Sequence, residues 1–365
     1  MKILHVYKDF DPPVRGGMER HIALMCRFQR QWAEVEALTC SRSPRTRVIE
    51  RDGTRVTEVA EWVRIQSAPI SPSFPLYMRR SKCDVMVVHA PNPTAELGWL
   101  LARPRARLVV RYHSDIVRQA AAMQIYRPFQ MQFLERADII IPTSQQYLDT
   151  SPTLAPFRSK CRVVPLGIVA DEFAHPREGR VAELRARYER EFVFFSGKHR
   201  YYKGLHYLID AATSINANVV ISGDGPERRA LEARARALGA KVEFTGELSQ
   251  EELVDHLHAC SVFVFPSVAR SEAFGISILE AHACGKPVVA TKLGTGVEFS
   301  NLDGETGLNV SPRDPAVLAA AVNLLLADSE LRGRLGETAR RRVRTSFDAE
   351  SIARQELSLY ESTLE

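Results

Sequence analysis

The sequence predicts an α/β chain made of two doubly wound domains in tandem, and three observations carry that reading. The chain has 365 residues, about two domains' worth at roughly 150 residues each. Short, largely apolar β-rich runs alternate with helix-like stretches, the rhythm of a parallel sheet covered by helices on both faces. That rhythm ends near Pro165-Leu-Gly-Ile168, crosses a charged stretch from Asp171 to Arg190, and restarts at Phe192. The first domain is therefore assigned to residues 1–170 and the second to 171–347.

In the first domain the expected strands are Ile3 to Tyr7, Val35 to Thr39, Val85 to His89, Leu108 to Tyr112, Ile139 to Pro142 and Arg162 to Pro165. Each is short and apolar, as a strand buried on both faces should be. The second domain contributes Phe192 to Ser196, Val219 to Ser222, Val242 to Thr245, Val262 to Pro266 and Val288 to Thr291, with helical segments between them. Asp314-Pro315 before Ala-Val-Leu-Ala-Ala-Ala marks a helix start, because the carboxylate caps free N–H groups and proline suits the first helical position. A helical tail is expected from there to Glu365, with no solenoid repeat and no low-complexity segment.

Hydrophobic residues make up 45%, charged residues 25% and aromatic residues 8%, which excludes a disordered, collagen-like or coiled-coil chain. The formal charge of +5 is compatible with phosphates or an anionic membrane surface and does not demand nucleic acid. The run Arg340-Arg-Arg-Val-Arg344 spreads its charges around a helix and reads as a solvated face. Cysteines 26, 40, 83, 161, 260 and 284 show no metal-type spacing, so neither disulfide nor structural zinc is expected. The first apolar run is broken too early for a signal peptide, and no later run reaches the roughly 18 residues of a membrane span. A cytoplasmic location follows as the expectation, with attachment to the inner face of the cell membrane left open.

Three segments could carry chemistry. Pro12-Pro-Val-Arg-Gly-Gly17 sits between a strand and a helix, where adjacent glycines either bring backbone N–H groups to a phosphate or sugar or serve only the turn. Ser196-Gly-Lys-His-Arg-Tyr-Tyr-Lys-Gly204 follows the first strand of the second domain. Lys198 and Lys203 could converge there on one anion at the strand's carboxyl end, or simply be solvated. Ser271-Glu272-Ala-Phe-Gly-Ile-Ser-Ile-Leu-Glu280 follows another strand and turns into a helix near Gly275. The N–H groups of Phe274, Gly275, Ile276 and Ser277 would then face an anion above the sheet. Glu272 could accept hydrogen bonds from sugar hydroxyls, and Glu280 from a ribose.

Gly16-Gly17, the Ser-Gly-Lys-x4-Lys-Gly loop, Ser222-Gly-Asp-Gly-Pro226 and Glu272-x7-Glu280 together resemble the retaining glycosyltransferases of the GT-B fold, in the large family 4. The likeness covers nearly the whole chain. Arg111-Tyr-His-Ser-Asp-Ile116, Pro142-Thr-Ser144 and Lys292-Leu-Gly-Thr-Gly296 fit the bacterial mannosyltransferases of exopolysaccharide and O-antigen synthesis. The resemblance implies two Rossmann-like domains facing across a cleft, the first for the acceptor and the second for the nucleotide sugar. It also implies that a final helix, about 348–365, packs back on the first domain. By position, Lys198 and Lys203 would hold the donor diphosphate, Glu272 the hexose hydroxyls and Glu280 the ribose. Gly17 would lie against phosphate or sugar, and His113 would face the reacting sugar. The family loop usually carries arginine where this chain has Lys198, which keeps the charge and loses the bidentate fork.

The expected activity is transfer of a hexose, mannose from GDP-mannose being favoured, to a glycan or lipid-linked acceptor. UDP-glucose and UDP-N-acetylglucosamine stay open as donors, and a non-catalytic nucleotide-sugar sensor or partner subunit is the alternative of another class. A front-face transfer with retention is expected, with Asp115 a candidate general base. No Asp-x-Asp sits at a strand end to chelate a metal, so no cofactor and no divalent cation are expected. Ser73-Phe-Pro-Leu-Tyr-Met-Arg-Arg-Ser-Lys82 and Ile125-Tyr-Arg-Pro-Phe-Gln-Met-Gln-Phe133 mix aromatic, apolar and basic residues. Either suits an anionic bilayer surface or is an ordinary helix with a solvated edge.

Overall fold

The computed structural model describes residues 1–14, 16–65, 68–116, 120–189 and 191–365. Arg15 of the glycine-rich turn and Arg190 of the charged linker therefore lie outside the described residues. The chain forms two units: Met1–Gly167 joined by Ala349–Glu365, and Ile168–Asp348.

The first unit holds strands β1 (Lys2–Val6), β2 (Glu34–Cys40), β3 (Arg47–Arg51), β4 (Thr54–Val59), β5 (Val63–Ile65), β6 (Ala68–Ile70), β7 (Val85–Ala90), β8 (Arg107–Tyr112) and β9 (Ile139–Pro142). Its helices are α1 (Gly17–Gln29), α2 (Phe74–Arg80), α3 (Pro93–Ala102), α4 (Ala120–Arg136) and α5 (Gln145–Thr150). The seven-stranded sheet runs β3-β4-β2-β1-β7-β8-β9, parallel except where β3 turns back on β4. That hairpin is absent from the sequence expectation. Asp52-Gly53 makes its turn with φ of 45° and 75°, a conformation asparagine, aspartate and glycine tolerate best. A second correction concerns Arg162 to Pro165, which forms no strand. The chain there meets β9 through a single bridge, Ile140 to Cys161, and two backbone bonds.

The second unit has strands β10 (Phe192–Ser196), β11 (Asn218–Ser222), β12 (Val242–Gly246), β13 (Val262–Phe265), β14 (Val288–Thr291) and β15 (Gly307–Val310), in the order β12-β11-β10-β13-β14-β15 and all parallel. Its helices are α6 (Glu178–Arg187), α7 (Leu205–Ala212), α8 (Arg228–Leu238), α9 (Gln250–Ala259), α10 (Ile276–Ala283), α11 (Val297–Ser300), α12 (Pro315–Ala327) and α13 (Ser329–Ser346). Phe192, Val193, Phe194 and Phe195 of β10 are fully buried, and each such side chain contributes about 1.5–3 kcal/mol on leaving water. Asp314 caps α12 by accepting from the N–H groups of Ala316 and Val317, both at 3.1 Å. The tail is three helices, because Asp328 caps α13 anew and α14 (Ala349–Glu361) begins after Phe347. Helix α14 packs on α1 and so belongs to the first unit.

Candidate functional site

In the second unit, the chain leaves β10 through Gly197-Lys198 and makes a short 3-10 turn at Tyr201–Lys203. Gly204 follows at φ 65°, where a Cβ would collide with the Pro266 carbonyl oxygen, so only glycine lets this loop lie on the end of β13. The Val268 N–H donates to the Tyr202 carbonyl at 2.7 Å and fixes the approach. Lys203 is thereby delivered to Glu272, with Nζ 2.5 Å from Oε2. The Ser267 hydroxyl donates to the same oxygen at 3.2 Å. Both contacts use Oε2. Burial pulls the Lys203 pKa down more than any one neighbour raises it, but Glu272, Tyr202 and Glu280 acting together leave the pKa raised. Lys203 is therefore a cation at neutral pH, with its ammonium 4.8 Å from the Phe265 ring centre.

Helix α10 starts beside this pair. Gly275 is its N-cap at φ 86°, no side chain caps it, and no acidic residue occupies its first turn. Its leading N–H groups thus keep their affinity for an external anion. Phe274 and Gly275 are buried, while Ile276 and Ser277 are half-buried. Glu280 lies on the same helix, close enough for its charge to raise the Lys203 pKa. Lys203, Glu272 and Glu280 are therefore brought together. Lys198 is exposed in the same loop and takes no part in the ion pair. The Lys292–Gly296 turn uses its N–H groups internally: Gly294 and Thr295 donate to Glu298 at 2.7 and 3.3 Å. Ser267 and Glu298 escaped the sequence reading, because neither sits in a spacing that marks it.

In the first unit, Gly16 caps α1 with extended backbone and no side-chain bond. The Glu19 carboxylate fills the place a Gly16 side chain would take. Gly17 is exposed at the first turn. His113 lies just past β8, its N–H donating to the Ala90 carbonyl at 2.8 Å. Its side chain is buried, and its Nε2 is 3.0 Å from His89 Nδ1. Burial, then the Arg111 charge, hold the His113 pKa well below the usual imidazole range, so it is neutral. Asp115 accepts from Tyr112 Oη at 2.9 Å and Ser151 Oγ at 2.8 Å, both on Oδ1. Its own N–H donates to Tyr147 Oη at 2.5 Å. Those bonds brace the loop, and nothing in them aims the carboxylate at a substrate. Among the described residues no three His, Cys, Asp or Glu side chains form a metal-binding group.

The two mixed segments are amphipathic helices. On α2, Phe74 and Met78 are fully buried while Leu76, Arg79 and Arg80 face water. On α4, Phe133 and Leu134 are buried, and Ile125 and Phe129 are exposed by 75% and 46%. Trp62 on the way into β5 is 77% exposed. No helix among the described residues is long and apolar enough to cross a membrane.

Two family models match the chain: the glycosyl transferase 4-like domain over residues 16–167 and glycosyl transferases group 1 over residues 177–342. The chain is 36% identical to an O-antigen chain mannosyltransferase C of Escherichia coli, over 100% of its own length and 99% of the relative's. It is also 36% identical to a D-rhamnosyltransferase of Pseudomonas aeruginosa, over 96% and 93%. Among solved structures it resembles a sucrose-phosphate synthase from Thermosynechococcus elongatus, with a TM-score of 0.84 and 25% identity over 100% and 99% of the two chains.

Proposed function

Because the chain belongs to the group 1 glycosyltransferases, with the GT-B fold, we propose that it transfers a hexose from a nucleotide sugar to a glycan or lipid-linked acceptor in polysaccharide or O-antigen synthesis, with GDP-mannose as donor. The observation that carries the reading is the Lys203–Glu272 pair beside the uncapped start of α10. Mannose is favoured by the 36% identity to a mannosyltransferase.

The chemistry follows from charge. Cleaving the sugar–phosphate bond builds negative charge on the leaving diphosphate and positive charge on the sugar ring. Lys203, Lys198 and the N–H groups of α10 stabilise the first. An arriving diphosphate competes with Glu272 for Lys203, and the exchange releases the carboxylate to take sugar hydroxyls. Glu280 takes the ribose, Gly16 and Gly17 admit phosphate or sugar close to the backbone, and His113 meets a hydroxyl of the reacting sugar. The C1–O bond to phosphate breaks and the C1–O bond to the acceptor forms on the same face. The acceptor's proton passes to the departing phosphate oxygen, so Asp115 is given no proton-transfer role. The lysines supply the charge a divalent cation would otherwise bring.

Thermal-shift measurements with GDP, UDP, GDP-mannose, UDP-glucose and UDP-N-acetylglucosamine test the donor, since a ligand of the folded state raises the midpoint. Stabilisation by the guanosine species alone is expected. Stabilisation by uridine species alone overturns the mannose donor, and binding without transfer or hydrolysis makes the protein a sensor.

A further inference from the structure

The core of the first unit contains a row of hydrogen-bonded imidazoles. His5 lies on β1, His89 on β7, and His113 just past the end of β8. In register, His5 faces Val87 and His89 faces Arg111. Each histidine therefore sits two residues further toward the carboxyl edge than its neighbour, on the same face of three adjacent strands. His5 Nδ1 is 3.0 Å from His89 Nε2, and His89 Nδ1 is 3.0 Å from His113 Nε2. All three rings are buried, and burial holds each neutral, His5 being lowered to about 4. A neutral imidazole has one donor and one acceptor nitrogen, so one end of the row dictates the other.

The inner end is anchored. Tyr360 Oη donates to Glu356 Oε2 at 2.6 Å, and Glu356 pairs with Arg111 at 2.9 Å, every side chain being fully buried. The Tyr360 proton is thus committed to the carboxylate. Burial and the Glu356 charge raise the Tyr360 pKa; the Gln29 amide, whose Nε2 has no hydrogen-bond partner among the described residues, acts to lower it, as a donor to the phenol does. Its other end, Oε1, is 2.9 Å from His5 Nε2. Turning the amide round would set its oxygen against a phenol oxygen with no proton to offer. Gln29 Oε1 therefore accepts from His5 Nε2–H, His5 Nδ1 accepts from His89 Nε2–H, and His89 Nδ1 accepts from His113 Nε2–H. The row ends on His113 Nδ1, a buried lone pair with no partner among the described residues.

We propose that Tyr360, Gln29, His5 and His89 are positioning residues that lock His113 in its Nε2–H tautomer, so that Nδ1 accepts a hydrogen bond from a hydroxyl of the donor sugar. The placing of His113 at the sugar rests on the function proposed above; the locked tautomer does not. A buried acceptor without a partner costs about 1–3 kcal/mol, and a sugar hydroxyl would satisfy it.

The test is a long-range 1H–15N spectrum of the intact protein labelled at histidine nitrogen, with H113A assigning the His113 signals. The expected result is an unprotonated Nδ1 and a protonated Nε2. A protonated Nδ1 in the unaltered protein overturns the proposal without reference to any variant. Q29M removes the terminal acceptor and Y360F the group that orients it. Each should give mixed His113 tautomers and lower kcat roughly five- to tenfold, with donor KM changed less than about twofold. Unchanged tautomer and kcat in both variants would also overturn it. The expected tautomer with no turnover of any nucleotide sugar would support the locked row and count against the proposed function alone.

Discussion

Acidification from pH 7.5 to 5.5 should destabilise the first unit strongly. His5, His21, His89 and His113 are all buried, and burial is the leading cause of the lowered pKa in each. In the unfolded chain they titrate near 6.5. Below that pH the unfolded state binds protons the folded state refuses, so stability is full above about 6.5 and falls as the pH drops toward the folded values. Each histidine costs about 1.4 kcal/mol across this interval, and the four together cost roughly 5–6 kcal/mol. Glu96 works the other way, since burial raises its pKa, and so opposes part of this loss. A net loss of several kcal/mol is comparable with the whole stability of many domains.

The protein carries its own probe for this unit. Its three tryptophans, Trp32, Trp62 and Trp99, all belong to the first unit. Urea unfolding followed by tryptophan fluorescence should show the midpoint falling by about 2 M between the two pH values, taking an m-value of roughly 2–3 kcal/mol/M. A shift below about 0.5 M would mean that these histidines are protonated in the folded protein, and the neutral row with its fixed tautomers would go with them.

The other expectations concern the second unit and the surface. E272Q should weaken nucleotide-sugar binding roughly 10- to 100-fold through loss of a charged acceptor, while the bare nucleoside diphosphate binds as well or better because Lys203 is released; equal losses in calorimetry would confine Glu272 to holding Lys203. Transfer should continue in excess EDTA, and a strict need for a divalent cation would contradict the charge-supply role given to Lys198 and Lys203. Co-sedimentation should be stronger with anionic than with neutral liposomes, reflecting Arg79, Arg80 and the exposed Trp62 and Ile125; equal or no sedimentation would make those segments ordinary surface.

The second unit was easier to read from sequence than the first, for a physical reason. Its site is built from contiguous segments at strand ends, so Lys198-x4-Lys203 and Glu272-x7-Glu280 keep their spacing in the chain. What spacing could not reveal was that Lys203 and Glu272 pair, because that depends on Gly204 lying against Pro266. In the first unit, the β3–β4 hairpin is hard to see in the sequence although Asp52-Gly53 is a hairpin signal, because β3 is a charged, exposed edge strand with little apolar content. Arg162 to Pro165 is the opposite case. Its apolar pair Val163-Val164 resembles a strand, but the chain makes only one bridge to β9.

The histidine row was hidden for a deeper reason. Its members come from two strands, the turn after a third strand and two helices, and α1 and α14 stand at opposite ends of the chain. No local pattern distinguishes His5 or His89 from a histidine that merely fills a core. Packing supplies the distinction: a core asking only for volume would be served as well or better by apolar side chains, since a buried ion pair such as Arg111–Glu356 and buried imidazoles bring desolvation costs that their own contacts barely offset. Each imidazole of the row has its demand met by its neighbours, until His113 Nδ1. The cost of a polar core is thus spread over interior residues, and the unpartnered imidazole nitrogen of the row lies at the carboxyl edge of the sheet, the edge at which open α/β sheets bind their ligands.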